Sequence, residues 1–234
     1  FSLVYRHYLT GDGQRSSDIG DRKIPARDGN GKEMIDILTK AALDAGQAIM
    51  AVHRAGPHLS YKDDCSPVTE ADQRAETIIL AALAAHFPDI PVIAEEAVSN
   101  GILPETGKEF FLVDPLDGTK EFISGKDDFT VNIALIRNGA PVAGVVYAPC
   151  RGQAWTGEGN KAEKLAISGE GAILSRHPIR ARQRGASPVA LISRSHCTAK
   201  TEAFVAEHGL KDCISVGSSL KFCMLAEGAA DIYP

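Results

Sequence analysis

The sequence predicts a mixed α/β protein with two sub-domains. Two amphipathic helical patterns come first, near residues 34–56 and 70–87, and short strand patterns rich in β-branched and aromatic residues follow them. From residue 189 strands and helices alternate, which is typical of a parallel βαβ unit. We therefore expect an α+β sub-domain over residues 34–150 and a smaller α/β sub-domain over residues 151–234. An irregular arm is expected over residues 1–33.

Each of the two predicted helices has one apolar face. In the first, apolar residues recur at helical spacing up to Gly56-Pro57, at positions Ile37, Leu38, Ala41, Ala45, Ala48, Ile49 and Val52. The second begins after Thr69 and stops before Pro88, because proline lacks the N–H that would continue a helix. The first third of the chain is therefore expected to be largely helical.

Four strand patterns occupy the middle of the chain. They cover residues 92–94, 110–113, 129–136 and 142–147. Asn138-Gly139 stands between the last two, and this dipeptide is a strong signal for a tight hairpin turn. After Pro149 the chain is rich in glycine and charged residues, and no strand is predicted there before residue 189.

Composition limits the classes of partner. The 234 residues are 44% hydrophobic and carry a net charge of −5, which argues against bulk attraction to nucleic acid or anionic lipid. Any phosphate binding would need a local site, with metal ions as the obvious positive charge. Five scattered cysteines, no apolar run of 18 residues and no signal pattern predict a cytoplasmic protein with reduced thiols. Peripheral attachment to the inner membrane and a homodimer stay open.

The most informative segment is Phe111–Thr119, where a hydrophobic strand ends in two aspartates. Asp114 and Asp117 stand three residues apart around a proline that fixes the backbone, so both carboxylates and an intervening carbonyl could turn toward one cation. Gly118 would let the main chain approach a ligand closely. Taken alone, a segment of this kind is more often a loop in which Asp117-Gly118 forms a turn.

A second hydrophobic pattern, Val92–Ala94, also ends in acids, Glu95 and Glu96. Like charges at one strand end repel each other unless cations lie between them, although a solvated loop would account for this pair alone. Two strands that both end in acids favour a metal site. Oxygen ligands without histidine or cysteine favour Mg²⁺ over Zn²⁺, and Mg²⁺ usually keeps waters and binds substrate phosphate oxygens.

A third polar segment, Ser66–Asp72, comes directly before the second predicted helix. Thr69 and Asp72 have the spacing of a helix capping box with Asp in place of Glu, and local sequence favours capping. Together and in this order, however, the three segments resemble the inositol monophosphatase superfamily. That family carries a T-x-x-D motif, an E-E pair and a D-P-[IL]-D-G-[ST] motif, and the resemblance runs from about residue 34 to residue 234.

The resemblance implies an αβαβα sandwich of the inositol monophosphatase and fructose-1,6-bisphosphatase type, with two or three Mg²⁺ ions between its halves. It implies that Glu95, Asp114 and the carbonyl of Leu116 hold one ion, and that Asp114 and Asp117 share a second.

The same resemblance implies how the attacking water is activated. Thr119 would orient this water and help to deprotonate it, with Asp72 as the carboxylate partner of Thr119. Asp72, Thr119 and Glu95 are therefore the expected catalytic residues. Lys62 and Asp64 lie in the preceding loop.

Five further stretches resemble the bisphosphate nucleotidase branch more than the inositol phosphatases. They cover residues 117–123, 129–134, 144–149, 193–196 and 217–223. The substrate of that branch is adenosine 3′,5′-bisphosphate, a by-product of sulfate assimilation, and the products are AMP and phosphate. Inhibition by Li⁺ and Ca²⁺ is implied as well.

Two of these stretches could contact the second phosphate of such a substrate. Gly217-Ser218-Ser219 opens a predicted helix whose N–H groups suit an anion, and Lys221 could add charge; an ordinary serine-capped helix is the alternative. Residues 193–196 could contact the same phosphate or form an exposed loop with a solvated arginine. The expected substrate-binding residues are Gly118, Thr119, Ser193, His196, Gly217, Ser218, Ser219 and Lys221. Trp155 and the cysteines are assigned no role.

The family pattern continues into a W-D-x-A-[AG]-G segment that would follow residue 234, and its aspartate completes the second metal site. Either that segment is omitted from the sequence given, or the protein would bind the second metal poorly and turn over slowly. Two alternatives to a bisphosphate nucleotidase follow. One is an inositol monophosphatase or another sugar-phosphate phosphatase, and the other is a weakly catalytic protein that binds phosphate or nucleotides.

Overall fold

A computed structural model describes residues 33–56, 59–61 and 67–234 of the chain. The predicted arm, except for its last residue, lies outside the described residues, as do Lys62 and Asp64. None of the helices in the described ranges combines the length and apolarity needed to cross a membrane. The four cysteines within these ranges are free thiols.

The described residues form helices and strands in alternating groups. The helices are α1 (Met34–Ala55), α2 (Glu70–His86), α3 (Glu95–Ser99), α4 (Thr119–Ile123), α5 (Ala199–Glu207) and α6 (Leu220–Ala226). The strands are β1 (Leu59–Tyr61), β2 (Pro67–Thr69), β3 (Val92–Ala94), β4 (Glu109–Asp117), β5 (Thr130–Arg137), β6 (Ala140–Ala148), β7 (Gln153–Glu158), β8 (Lys161–Ile167), β9 (Ile173–Pro178), β10 (Val189–Ser193) and β11 (Asp212–Val216).

A seven-stranded sheet forms the centre of the molecule, in the order β3-β4-β5-β6-β7-β8-β9. Strands β3 and β4 are parallel, and every later neighbouring pair is antiparallel. Strands β10 and β11 form a separate parallel pair, joined by α5 as a βαβ unit. A short antiparallel pair, β1 and β2, precedes α2.

Two apolar clusters pack the other elements against the central sheet. The larger one packs α1 and α2 against one face of the sheet. Gly46 of α1 lies so close to β6 that an added Cβ would stand 2.2 Å from a ring carbon of Tyr147. The smaller cluster joins Trp155 of β7 to Leu191 of β10 and Leu220 of α6. The result is a layered α/β fold, as expected.

The predicted elements agree with the structure up to residue 148. Both amphipathic helices and all four strand patterns are confirmed, and the hairpin turns at Asn138 and Gly139, both with positive φ (51° and 75°). The prediction of no strand between Pro149 and residue 189 is wrong, because β7, β8 and β9 occupy most of that stretch. These strands belong to the same sheet as β3–β6, and the predicted division near residue 150 stays a prediction.

Candidate active site

A β-bulge brings Asp114 and Asp117 to one face of the sheet. Asp114 pairs with Asn132 of β5, and Asp117 pairs with Thr130, so two residues separate the aspartates where one separates their partners. Thr130 and Asn132 point to the same side because side chains alternate along a regular strand. Because β4 has one extra residue between the two aspartates, their side chains also point to one side of the sheet.

Glu95 lies at the same end of the sheet. Ala94 of β3 pairs with Val113 of the parallel strand β4, so Glu95 follows β3 just as Asp114 follows Val113. Glu95 and Glu96 stand in the first turn of α3 and not in a solvated loop, the alternative for this pair alone. The main-chain N–H of Glu96 donates to Glu76 Oε2 at 2.8 Å. The parallel register thus places the two predicted acidic strand ends side by side.

The electrostatics of this cluster fit a cation. Asp114 is buried, and burial together with the negative charges of Asp117 and Glu95 raises its pKa well above the ordinary value. Burial also raises the pKa of Asp117. A bound cation would favour the charged form of all three carboxylates. Among the described residues no group of three or more His, Cys, Asp or Glu is already arranged around one point, so main-chain oxygens, waters and substrate would complete the coordination.

Asp72 is both the helix cap and the partner of Thr119. Its Oδ2 accepts hydrogen bonds from the main-chain N–H and the hydroxyl of Thr69, each at 2.7 Å, which completes a capping box at the start of α2. Its Oδ1 lies 3.4 Å from Thr119 Oγ1, which is also 3.1 Å from the carbonyl oxygen of Leu116. The two interpretations of the T-x-x-D motif therefore describe two oxygens of one carboxylate.

Gly118 is required by the close approach of three chain segments. Its φ is 95°, and an added Cβ would stand 2.9 Å from the carbonyl oxygen of Asp128 and 3.3 Å from Ser218 Cβ. The turn after β4 therefore lies directly against the segment that begins at Gly217.

The loops after β10 and β11 lie next to each other. Ser193 is paired with Val216 in the parallel register, so the residues that follow these strands emerge at the same edge. His196 donates its main-chain N–H to Ser193 Oγ at 3.2 Å. Arg194 is not a solvated side chain, because its guanidinium lies 2.5 Å from a carboxylate oxygen of Asp128.

The segment before α6 differs from the predicted helix start. Helix α6 begins at Leu220, its N-cap Ser219 makes no capping hydrogen bond, and Ser218 has a positive φ of 49°. The main-chain N–H of Gly217 is already used, since it donates to Asp128 Oδ2 at 3.2 Å. The expectation of several free N–H groups at a helix N-terminus is therefore wrong for Gly217, whose neighbour Asp128 is acidic.

Lys221 is a buried cation beside the carboxylates. Its ammonium donates to the carbonyl of Ser218 at 2.5 Å and lies 5.5 Å above the ring of Tyr233. Burial lowers its pKa, and the negative charges of Asp117 and Glu121 oppose that effect. Positive charge is thus available next to the acidic end of the sheet.

One cavity of about 1120 Å³ joins these groups. Its lining includes Glu95 and Asp117, two of the three residues of the acidic cluster formed by Glu95, Asp114 and Asp117. It also includes all eight predicted substrate-binding residues, namely Gly118, Thr119, Ser193, His196, Gly217, Ser218, Ser219 and Lys221. Trp155 lines the same cavity, while its indole N–H donates to Glu227 at 2.6 Å, so its main contacts are structural.

Sequence reasoning missed several polar residues of this site. Glu121 accepts a hydrogen bond from the hydroxyl of Ser195, and Asp128 joins Arg151, Arg194 and Gly217. Asn132 lines the cavity from the middle of β5. The available signal was the polar alternation of residues 130 and 132 within an otherwise hydrophobic strand.

Comparisons with known proteins agree with this geometry. The sequence model of the inositol monophosphatase family matches residues 30–234. The 3′(2′),5′-bisphosphate nucleotidase CysQ of Escherichia coli (strain K12) is 41% identical over 205 residues, covering 86% of this chain and 80% of the relative. Inositol monophosphatase 1 of Solanum lycopersicum is 33% identical over 156 residues, covering 66% and 54%.

The fold is also found among solved structures. The crystal structure of CysQ from Bacteroides thetaiotaomicron, described as a bacterial member of the inositol monophosphatase family, superposes with a TM-score of 0.69. It is 36% identical in sequence and covers 86% of this chain and 78% of that chain.

Proposed function

The chain belongs to the inositol monophosphatase family, and from this we propose that it hydrolyses the 3′-phosphate of adenosine 3′,5′-bisphosphate to AMP and phosphate. It is a phosphoric monoester hydrolase of a metal-dependent family. The observation that carries the substrate assignment is one cavity that is lined by Glu95, by Asp117 and by the buried Lys221. The match to the CysQ nucleotidase of Escherichia coli (strain K12) is also longer and higher in identity than the match to the inositol monophosphatase of Solanum lycopersicum.

We propose Mg²⁺ as the metal, because the available ligands are hard oxygens. Glu95, Asp114 and the carbonyl of Leu116 would hold one ion, and Asp114 with Asp117 would contribute to a second. Bound there, Mg²⁺ would neutralise charge on the phosphate and lower the pKa of a ligated water.

Thr119 and Asp72 have the geometry to orient the attacking water. The hydroxyl proton of Thr119 is directed toward Asp72 Oδ1 or the carbonyl of Leu116, so a lone pair of Thr119 Oγ1 remains to accept a proton from water. The other oxygen of Asp72 is fixed by Thr69, which keeps the carboxylate from rotating away. Asp72 can then accept the proton that Thr119 passes on.

The second phosphate of the substrate would be bound by groups on the cavity wall around Lys221. Lys221 would provide the charge, and Ser193, His196 and Ser218 would provide hydroxyl or ring donors. Ser219 completes this wall, but its hydroxyl already donates to Asn132 Oδ1. An inositol monophosphate has no second dianion for these groups. A phosphorylated small molecule is thus the partner, and cytoplasmic location, peripheral membrane attachment and a homodimer stay predictions.

Product identity tests this function. The protein incubated with Mg²⁺ and adenosine 3′,5′-bisphosphate should release AMP and inorganic phosphate, separated by chromatography, and chelation by EDTA should abolish the release. Formation of adenosine 3′-phosphate instead of AMP would contradict the proposal, as would undiminished activity in EDTA.

A further inference from the structure

Asn132 has a buried hydrogen-bond donor that the protein does not use. Its side chain is 5% exposed, and its Nδ2 has no hydrogen-bond partner within the described part of the chain. Such a group is costly to bury, because it has lost its hydrogen bonds to water without replacing them. An unsatisfied donor of this kind in the middle of a strand indicates a ligand that accepts its hydrogen bond.

The amide of Asn132 is held in a fixed orientation. Its Oδ1 accepts a hydrogen bond from Ser219 Oγ at 2.8 Å, and the same Ser219 Oγ lies 2.8 Å from Thr130 Oγ1. Thr130 and Asn132 are two residues apart on β5, so both reach Ser219 from one face of the sheet. With Oδ1 fixed in this way, Nδ2 is directed away from Ser219.

The position of Asn132 connects it to the reacting end of the cavity. It lines the cavity and is the cross-strand partner of Asp114, so the two side chains leave the sheet on the same face with Cβ atoms about 5 Å apart. Ser219, which fixes its amide, belongs to the proposed substrate wall. Asn132 therefore lies between the acidic cluster and the substrate-binding segment.

We propose that Asn132 is a substrate-contacting residue whose Nδ2 donates a hydrogen bond to an oxygen acceptor of the bound ligand. The acceptor is either an oxygen of the phosphate held at the acidic cluster or a ribose hydroxyl next to it. This inference deepens the proposed function and rests on it for the identity of the nucleotide. The fixed amide makes Asn132 a determinant of ligand orientation.

Calorimetric titration with inorganic phosphate and, separately, with AMP tests the contact in the presence of Mg²⁺. Asn132→Ala should weaken binding of at least one of these ligands about tenfold or more, while the melting temperature and the Mg²⁺ concentration for half-saturation stay near those of the parent protein. Weaker binding of inorganic phosphate identifies the phosphate as acceptor. Weaker binding of AMP alone identifies the ribose.

Asn132→Asp separates a contact from a packing role. Aspartate has nearly the same shape and can accept from Ser219, but it cannot donate from its second oxygen once ionised. Ligand affinity should therefore fall at least as far as in Asn132→Ala. Asn138→Gly, at an exposed turn of the same sheet with positive φ, is the matched control and should change neither affinity.

Unchanged affinity for both ligands, within about twofold, in folded Asn132→Ala or Asn132→Asp protein would overturn the proposal. If neither variant folds, Asn132→Ser gives the same comparison with a smaller polar side chain. Inorganic phosphate is a product of any phosphomonoesterase. If the substrate assignment were wrong, the Asn132 variants would still lose affinity for inorganic phosphate. If the Asn132 contact were wrong, the parent protein would still produce AMP.

Discussion

Asp72 shows how one side chain can satisfy both a helix cap and the proposed catalytic arrangement. Oδ2 caps α2 through Thr69, and Oδ1 faces Thr119. The sequence alone could not separate these roles, because T-x-x-D is the spacing of both. The structure shows that they do not compete, since each uses a different oxygen.

A matched pair of variants separates the two roles of Asp72. Thr69→Ala removes two hydrogen bonds of the cap, one from the Thr69 hydroxyl to Asp72 and one from the main-chain N–H of Ala71 to that hydroxyl. It should cost about 1 kcal/mol of stability, with kcat within about threefold of the parent because the main-chain N–H of Thr69 still holds Asp72. Asp72→Ala should cost similar stability and in addition lower kcat roughly 10²-fold, because Thr119 loses its acceptor. Urea unfolding and steady-state kinetics measure the two effects. Equal kcat in the two variants would leave Asp72 only a capping role.

A second pair of variants separates metal binding from water orientation. Asp114→Asn should lower Mg²⁺ affinity and rate together, because the amide carries no charge at the proposed bridge between ions. Thr119→Ala should retain most of the Mg²⁺ affinity and lose roughly 10²-fold or more in kcat. Titration of activity with Mg²⁺ gives both values. Loss of Mg²⁺ affinity in Thr119→Ala with none in Asp114→Asn would reverse these assignments.

Lys221 carries the expected preference for a second phosphate. Lys221→Ala should reduce kcat/KM for adenosine 3′,5′-bisphosphate roughly ten- to a hundredfold, because a charge-assisted hydrogen bond is lost, with little change for monophosphates. Kinetics on both substrate types measures this. An equal loss for both types would mean that Lys221 acts on the acidic cluster itself, next to Asp117.

At the scale of elements, the bulge in β4 explains how two aspartates with the D-P-L-D spacing face the same side of the sheet. Two aspartates three residues apart in a regular strand would face opposite sides, and the extra residue between them corrects this. The proline in the motif predicted an irregular backbone. It did not predict a β-bulge or which residues of the neighbouring strand pair on either side of it. The register with β5 depends on tertiary pairing, and this is why Asn132 was not predicted.

Strands β7–β9 were missed for a related reason. All six residues of β9 are partly or fully exposed, and most of β8 is only partly buried, so neither has a clear alternation of apolar and polar residues. Strand β7 pairs with β6, β8 with β7 and β9 with β8, and local sequence does not reveal these neighbours. In contrast, β4 and β5 are buried almost throughout and were predicted from their apolar runs.

Asp231 ties the end of the described chain to β10. It accepts from Arg182 at 2.9 and 2.5 Å and from the main-chain N–H of Val189 at 2.7 Å. The hydrogen bonds from Arg182, and then the one from Val189, lower its pKa from 3.8 to about 2.

Because the pKa of Asp231 is lower in the folded state, its stabilising effect is present above about pH 3.8 and is lost as the pH falls through about 2. Asp231→Asn should lower the melting temperature at pH 7 and show a smaller further decrease between pH 4 and pH 2 than the parent protein. Thermal melts across that range measure the difference. Asp212→Asn, at an exposed position of β11, is the control, and an identical pH profile for Asp231→Asn and the parent would contradict this role.

At the scale of the whole molecule, the sequence indicated candidate site residues more readily than the path of the chain. The structure lines one cavity with Glu95, Asp117 and the predicted residues of both later loops, and the roles of these residues stay predictions. The sequence could not show that segments about 80 to 120 residues apart along the chain lie next to each other in the fold. The parallel pairing of β10 with β11 and the contacts of Asp128 bring those segments to the acidic end of the sheet.

The central claim is that this cavity accommodates a nucleoside bisphosphate rather than a monophosphate. The most direct test compares kcat/KM of the protein in Mg²⁺ for adenosine 3′,5′-bisphosphate, 3′-AMP and inositol 1-phosphate. We expect a value for the bisphosphate at least tenfold above either monophosphate, since Lys221 and the two adjoining loops would contact the second phosphate. Equal values for the bisphosphate and inositol 1-phosphate would contradict the claim.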